Sequence, residues 1–372
     1  MERTFNKENS LVIKGFAILA MLFHHCFLKG RFEDYAISLV PFTQGQITNM
    51  ASFLKICVPL FAFVSGYGLW LSLDSKPQSV SYPQWYKKRI VSSFKHYWLI
   101  VVLVWIICMA IDQRPVDVYF DKGVGVGIFY MLADLAGVSS LLDTPMLIGT
   151  WWYMGAAFAF IILAPLLHYA LKKVGSLFCL AILFIFPRIG AIGFPGGTQF
   201  FTFMPAFCLG MIFAKNFVFE HIRKVALRKW YTYVIALLIC AAVAFALYKT
   251  YLKLPIKEYW DIKWDLIPTA FIVILYLITE PIGWLKKGVA FLGKHSANIF
   301  MIHTLIRGIY LEKFIYTSPH FTVVLLKLFV LSLAASFVLN GLIKLTRYDL
   351  LIDRIFFGTK KEKPLPANPP AA

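Results

Sequence analysis

The sequence predicts an all-α, polytopic integral membrane protein with about ten transmembrane helices. Of its 372 residues, 59% are hydrophobic and only 15% are charged, whereas about a quarter of the residues in soluble domains are charged. Apolar stretches of spanning length, roughly 17 to 25 residues, recur along the chain. Lysines and arginines gather in alternate connections between these stretches, a pattern that marks cytoplasmic loops.

The predicted spans follow one another from the first apolar run to the last. Two shorter spans are separated by GFPGGT, a sequence typical of a turn. The ten spans are 11–29, 50–73, 94–112, 149–171, 177–193, 199–215, 231–249, 265–284, 288–311 and 320–344. The glycine-rich segment 123–138 holds Asp134 and is short for a span, so we expect a re-entrant or interfacial piece within the 113–148 connection.

The charge distribution predicts that both termini are cytoplasmic, because an even number of spans returns the chain to the side on which it begins. We expect a transmembrane domain at 1–345 and a cytoplasmic tail at 346–372. The end of this tail, GTKKEKPLPANPPAA, is proline-rich and polar, and disorder is expected there. The formal charge of +18 does not indicate nucleic-acid binding, since the cations lie between apolar runs rather than on one face of a soluble fold.

Two further expectations concern the cysteines and the first span. All six cysteines fall within apolar runs and lack the paired spacing of a disulfide framework or zinc site, so we expect core residues and no metal. The first span is longer than a signal-peptide core and no small-residue cleavage motif follows it, so we expect it to be retained.

The first predicted helix carries three ionisable residues within hydrocarbon, where each costs roughly 2.5 kcal/mol or more. Lys14 lies near its start, and His24 and His25 lie deep inside. Eleven residues separate Lys14 from His25, close to three turns and about 16 Å of rise, so the two share one face while His24 points about a quarter turn away. One interpretation is a histidine general base with a lysine that binds an anion or a carbonyl oxygen. The other is a packing histidine and a lysine that snorkels to the cytosol.

A second intramembrane histidine occurs in FLGKHSANIFMIHTLI, residues 291–306. Its helix also begins on the predicted cytoplasmic side, so His303 is expected at a depth similar to that of His25. Two histidines at one level predict a shared polar pocket. Ser296, Phe300, His303 and Arg307 recur at helical spacing, although an ordinary interhelical hydrogen-bonding stripe gives the same pattern.

Two further stretches have both a structural and a functional interpretation. In VPLFAFVSGYGLW, residues 58–70, small residues including Ser65 permit close helix approach, and packing explains them as well as a site does. In YKKRIVSSFKHYW, residues 86–98, the basic cluster indicates either positive-inside topology or a cytosolic phosphate site at Arg89 and Lys88.

Taken together, these stretches resemble the membrane-bound acyltransferase-3 family, bacterial acyltransferases that modify cell-surface glycans. IKGFAILAMLFHH is similar to the family's pattern of a basic residue and, eleven positions on, a histidine, at Lys14 and His25. VPLFAFVSGYGLW resembles its Ser-Gly-Tyr helix, and KKRIVSSFKHYW the basic start of its third helix. GTWWYMGAAFAFIILAPLL, FMPAFCLGMIFAK and FLGKHSANIFMIH resemble later motifs in the same order, and the resemblance covers about 5–345. The chain departs from the family at Lys14, where arginine is frequent, and at Ser92, where a second arginine is common.

The resemblance implies an acyltransferase of the bacterial cytoplasmic (inner) membrane. It would move an acyl group, usually acetyl from acetyl-CoA, to a hydroxyl of a lipid-linked or cell-surface glycan. The implied catalytic residues are His25 and Lys14, and those that bind the acyl-CoA donor are Arg89, Lys88 and Lys14. The implied substrate-pocket residues are Ser65, Tyr67, Trp152, Ser296 and His303. The expected partners are acyl-CoA, the glycan acceptor and membrane lipids, with no nucleic acid and no metal.

Other functions stay open on the sequence alone. A transporter or flippase of a glycan precursor also keeps ionisable residues at mid-membrane. A non-catalytic sensor or assembly subunit would tolerate substitution of His25 and Lys14. Within the acyltransferase interpretation, the donor is acetyl-CoA, succinyl-CoA or another acyl-CoA, and transfer is direct or passes through an acyl-histidine.

Overall fold

A computed structural model describes residues 3–181, 185, 198–253 and 262–358, and these residues are predominantly helical. A single isolated β-bridge pairs Ser38 with His320 within the described part of the chain. The helices are labelled in chain order: α1 (Lys7–Phe27), α2 (Gln44–Phe53), α3 (Cys57–Asp74), α4 (Tyr82–Ile111), α5 (Arg114–Tyr119), α6 (Val124–Leu135), α7 (Ser139–Leu142), α8 (Trp152–Lys173), α9 (Thr198–Lys215), α10 (Val218–Ala226), α11 (Trp230–Lys253), α12 (Ile267–Thr279), α13 (Gly283–Leu305), α14 (Glu312–Tyr316), α15 (Phe321–Leu345) and α16 (Tyr348–Phe357).

Polar side chains fix where the long helices begin. At the start of α1, the Asn6 side chain accepts hydrogen bonds from the backbone amides of Glu8 and Asn9, and the Asn9 side chain accepts one from the Asn6 amide. Ser81 and Gln84 form the same reciprocal pair at the start of α4. These bonds satisfy backbone donors that the first turn of a helix leaves without partners. The helices that contain these apolar runs therefore begin at defined residues.

Six described helical segments are long and apolar enough to cross a membrane: Lys7–Phe27, Gln44–Asp74, Tyr82–Ile111, Gly149–Lys173, Trp230–Lys253 and Phe321–Leu345. A seventh arises if Phe200–Lys215 and Val218–Ala226, which meet at a bend of 66°, count together. The prediction of an all-α, multi-pass membrane protein is thus confirmed. The count of ten and the orientation of the termini stay predictions, because α12 is shorter, α13 carries several charges, and most of 177–193 lies outside the described residues.

The spans differ in how deeply they lie inside the protein. In α1, 67% of the apolar window is buried, compared with 6% in α11. A helix surrounded by other helices can keep polar side chains away from lipid, whereas a peripheral one meets lipid over most of its surface. The helix that carries Lys14 and His25 is therefore a central one.

The 113–148 connection contains the short helices α5, α6 and α7. Helix α6 has 12 residues, or about 18 Å of rise, which is less than the roughly 30 Å of a bilayer core. The buried Asp134 carboxylate ties the connection together, because it accepts hydrogen bonds from the Tyr97 and Tyr119 hydroxyls and, at 2.9 Å, from the Leu147 amide. That α6 is too short to span agrees with the sequence; a re-entrant or interfacial position stays a prediction.

The predicted cytoplasmic tail begins with an ordered helix, α16. Its Asp349 carboxylate lies 2.8 Å from Lys95 Nζ and 2.9 Å from His96 Nε2, both on α4. The Tyr348 hydroxyl donates to the Lys95 carbonyl at 2.7 Å, and Phe356 stacks on Trp98. The expected disorder falls on 359–372, which lie outside the described residues.

Candidate active site

A cavity of about 400 Å³ lies among helices α1, α3, α4, α8 and α13. Its volume is within the usual range for small-molecule sites. The sequence-predicted site residues that line it are Lys14, His25, Ser65, Trp152 and Ser296. The structure therefore brings together residues from four helices that are far apart in the sequence.

Two pairs of glycines let the helices around the cavity touch backbone to backbone. A Cβ atom added at Gly15 would overlap the Val289 carbonyl oxygen on α13, and one added at Gly293 would overlap the Leu11 carbonyl oxygen on α1. Gly66 on α3 and Gly210 on α9 form a second pair of this kind, each against a backbone carbonyl of the other helix. Close approach through small residues is a frequent way of packing helices in membranes.

Lys14 and His25 face the same cavity, as their spacing along α1 predicts. The His25 side chain is half-buried, and within the described part of the chain no residue makes a hydrogen bond to either of its ring nitrogens. His25 thus has a ring that is held among helices and a nitrogen that remains available to a molecule in the cavity.

The neighbouring His24 has a different environment. Its Nδ1 donates a 2.7 Å hydrogen bond to the Ala51 carbonyl oxygen, which fixes the ring against α2. The buried ring lies edge-on to that of His25, with 5.0 Å between centroids, and part of it also lines the cavity. Its bond to the backbone agrees with the expected packing role, but the quarter-turn offset does not remove it from the cavity wall.

His303 lies directly against His25, with 4.9 Å between ring centroids. It is fully buried and does not itself line the cavity. Its Nδ1 lies 2.8 Å from the Phe300 carbonyl oxygen, which can only accept, so this nitrogen carries the proton. The two histidines are adjacent as predicted, but His303 packs against the His25 ring on the side away from the cavity and does not line the cavity.

Two threonines connect His303 to the cavity by hydrogen bonds. With Nδ1 protonated, the neutral ring has an unprotonated Nε2, which accepts a hydrogen bond from the Thr304 hydroxyl at 3.2 Å. The Thr304 hydroxyl in turn lies 3.1 Å from that of Thr150, which lines the cavity. Sequence reasoning missed both threonines, because a single hydroxyl at a helix end gives no recognisable pattern.

The cavity wall is basic. Lys14 and Lys55 line it, and no aspartate or glutamate does so among the residues that the structure describes. Lys14 adds positive charge to this wall, and a positively charged wall favours an anionic ligand. Sequence reasoning missed Lys55, although a lysine inside the apolar run 50–73 was a usable signal.

The basic cluster of α4 lies just outside the cavity. Ser92 and Ser93 line it, whereas Arg89 and Lys88, one turn earlier, do not. Lys88 is exposed, and Arg89 is half-buried with its Nε buried and without a hydrogen-bond partner in the described structure. Arg89 therefore stands next to the cavity with a buried donor unused.

Other cations of this cluster are engaged by the C-terminal helix. Partial burial acts to raise the pKa of Asp349, but hydrogen bonds and charges from Lys95 and His96 outweigh it and hold the pKa below its usual value. Asp349 therefore stays ionised at neutral pH and binds Lys95 and His96 of α4 to α16.

Tyr67 lies apart from the cavity. It is buried against Phe5 and Phe219, at ring centroid distances of 4.7 and 5.9 Å, and its hydroxyl approaches the Phe5 carbonyl at 3.5 Å. Because Tyr67 follows Ser65 by two residues, the two side chains point about 200° apart around α3. Only Ser65 can face the cavity, and Tyr67 packs against the N-terminal segment.

The remaining pocket residues have simple local contacts. The Ser65 and Ser296 hydroxyls donate 2.8 Å hydrogen bonds to carbonyls of their own helices, at Phe61 and Gly293, so their oxygens remain as acceptors. The Trp152 ring stacks on Phe203, with 6.0 Å between centroids. Before it, Trp151 Nε1 donates to the Met301 carbonyl at 2.9 Å and fixes the start of α8 against α13.

The cysteines lie almost entirely outside this site. All six are free and buried, and of these only Cys57 lines the cavity. Within the described residues, no group of three or more His, Cys, Asp or Glu side chains could hold a metal ion.

A family model described as an acyltransferase domain, that of the acyltransferase-3 family, matches residues 11–341. This range includes every residue that lines the cavity. No curated protein and no solved structure gives a significant match.

Proposed function

The chain belongs to the acyltransferase-3 family, and from this premise we propose that it is a membrane O-acyltransferase. It moves an acyl group, with acetyl as the first donor to test, from cytosolic acyl-CoA to a hydroxyl of a lipid-linked or cell-surface glycan. The proposed location is the bacterial cytoplasmic membrane, with both termini in the cytosol.

One observation carries the proposal: the half-buried His25 ring, without a hydrogen bond to its nitrogens in the described structure, faces a cavity formed by five helices. His303 packs against the ring and His24 lies beside it, so rotation of His25 is restricted. A positioned imidazole with a free nitrogen is what a general base requires.

The charges around the cavity suit an anionic donor. Acyl-CoA carries several phosphates on its nucleotide and a long, thin arm that ends in the thioester. Lys14 in the cavity, with Arg89 and Lys88 just outside it, would bind the phosphates. Lys14 is about 16 Å along α1 from His25, so it acts on the donor's charge rather than on the reacting carbonyl.

In the proposed reaction, His25 takes the proton of the sugar hydroxyl while that oxygen attacks the thioester carbonyl. A C–O bond forms, and the carbonyl oxygen gains the negative charge. When this intermediate collapses, the C–S bond breaks and the leaving thiolate takes the proton from His25. The products are the O-acyl glycan and coenzyme A, and His25 is again unprotonated.

His25→Ala tests the proposal, with His24→Ala as the matched control on the next residue of the same helix. We expect His25→Ala to abolish acyl transfer, with a loss of at least about 100-fold, while the protein still inserts. His24→Ala should retain measurable transfer. The measurement is mass spectrometry of surface glycans from cells that express each variant.

Two results would overturn the assignment. Wild-type transfer by His25→Ala would remove the proposed base. Movement of an unmodified glycan or lipid across vesicles containing the wild-type protein, with no acylated product, would identify a transporter instead.

A further inference from the structure

A second cleft, of about 580 Å³, opens away from the cavity near the start of α1. Its charged lining residues are Glu220, Arg223, Lys224 and Arg228, on and just after α10, with Glu280 at the end of α12. Three cations thus face two carboxylates in one concave site. The proposed acyl transfer makes no use of any of these residues.

One carboxylate of this cleft lacks a partner that its burial requires. Glu220 is only 4% exposed. Its Oε1 accepts a 2.8 Å hydrogen bond from the Thr4 amide, but its Oε2 is buried with no hydrogen bond from any described residue. A buried charged oxygen without a donor costs free energy, and a ligand that donates hydrogen bonds would remove that cost.

The second carboxylate is already satisfied. Glu280 lies 2.5 Å from Lys286 Nζ, accepts a 2.8 Å hydrogen bond from the Asn9 side chain, and stands 3.8 Å from Arg223. The cleft therefore offers one acceptor, Glu220, and a cationic rim. Arginine and lysine in such a rim are suited to phosphate.

The spacing of these groups selects the ligand. Glu220 and Arg223 are three residues apart on α10, and Cβ atoms at this spacing are about 5–6 Å apart. In an ethanolamine phosphodiester, only two carbons separate the amine from the phosphate oxygen, so both groups fit neighbouring residues. In a nucleotide, the base amine is much farther from the phosphates.

Exposed aromatic residues lie close in sequence to the residues of the cleft. Trp230 and Tyr231 begin α11, two and three residues after Arg228 of the cleft, and Trp284 lies three residues after Pro281; their exposed fractions are 78%, 43% and 78%. Trp and Tyr are enriched at the headgroup level of membranes. These exposed aromatics favour a lipid over a free cytosolic molecule as the ligand.

We propose that this cleft binds the headgroup of an aminophospholipid, with the primary amine on Glu220 and the phosphate on Arg223, Lys224 and Arg228. A bound headgroup joins α10 to the N-terminal segment, through the bond between Glu220 and Thr4. It would therefore stabilise the region where α1 begins, independently of any acyl transfer.

The test uses the purified full-length protein, stripped of lipid in detergent. Short-chain phosphatidylethanolamine, phosphatidylcholine and phosphatidylglycerol are titrated while the unfolding temperature and native mass spectra are recorded. Phosphatidylethanolamine should bind about tenfold more tightly than phosphatidylcholine, whose amine has no N–H donor.

Variants separate the two parts of the headgroup. Glu220→Gln should abolish the preference for the primary amine. Arg228→Gln should weaken the binding of all three lipids several-fold. Lys122→Gln, at an exposed cation outside the cleft, is the control and should change nothing. Arg228 is exposed, and its side chain makes no hydrogen bond or ion pair with a described residue, so its variant remains informative if Glu220→Gln is unstable.

Three outcomes would overturn the proposal: equal affinity for the three lipids, an unchanged preference in Glu220→Gln, or competition by adenosine 3′,5′-diphosphate without a preference for the primary amine. The last of these would assign the cleft to a nucleotide.

Discussion

The contact of α1 with α13 at Gly293 determines how Lys14 and His25 stand relative to Ser296 and His303. In Gly293→Ala, the new Cβ would overlap the Leu11 carbonyl oxygen, far inside the 3.0 Å that such atoms keep from a neighbour. The neighbour is helix backbone and cannot rotate away. The two helices must therefore separate by on the order of 1 Å, which is overpacking of a kind that costs about 1–3 kcal/mol.

The same shift moves the His303 ring away from His25, since the two lie on the separating helices. A misplacement of about 1 Å in a catalytic arrangement can lower a rate by up to about 100-fold. We therefore expect Gly293→Ala to lower both the unfolding temperature in detergent and the acyl-transfer rate in membrane vesicles. Protein level in the membrane is measured alongside.

Gly288→Ala is the matched control on the same helix. Apart from the backbone of its own helix, no atom of the described residues lies within 4 Å of the position that its Cβ would take. Alanine in a helix interior is more stable than glycine by roughly 0.5–1 kcal/mol. This variant should equal or exceed the wild type in stability. If Gly293→Ala matched Gly288→Ala in both measurements, the close contact of α1 and α13 would not position the site.

Three further predictions follow from single contacts. Thr304→Val removes the hydrogen bond to His303, worth about 1 kcal/mol, and should lower the transfer rate roughly five- to tenfold in a vesicle assay; wild-type kinetics would contradict this. Lys14→Met should raise the KM for acyl-CoA about tenfold, through loss of a charge-assisted bond, while Lys14→Arg should restore it; equal KM values would remove Lys14 from donor binding. Asp349 has a lowered pKa, so its bond to Lys95 contributes stability above the unfolded pKa of about 3.9 and loses it as pH falls through the lower folded value. Limited proteolysis should therefore release α16 in strong acid, and Asp349→Asn should release it at pH 7.

Much of the fold was predictable, because a bilayer restricts the elements that can cross it. Long apolar runs predicted the helices around α1, α4 and α15, and a hydrophobic stretch too short to span predicted α6. The length of α12 and the bend between α9 and α10 were not predictable, since both depend on how neighbouring helices pack.

The helical period gave the shared face of Lys14 and His25, which is a local property of one helix. The same period argues against Tyr67 as a pocket residue, since Tyr67 and Ser65 differ by about 200° around α3. Lys55 and Thr150 could not be assigned in this way, because each lies in a short 3₁₀ turn just before α3 or α8, where the period of the α-helix does not apply. The role of Gly293 in the close contact of α1 with α13 could not be predicted either, because it depends on which backbone of α1 lies opposite.

The pairing of Gly15 with Gly293 also has a consequence for biogenesis. About 280 residues separate the two positions, and at 5–20 residues per second their synthesis takes roughly 14–55 s. During that interval the first helix, with Lys14 and two histidines, has no α13 to cover it. We therefore expect this helix to stay beside the insertion machinery until the chain is almost complete, and expression of α1 alone should yield a segment that is retained there and degraded.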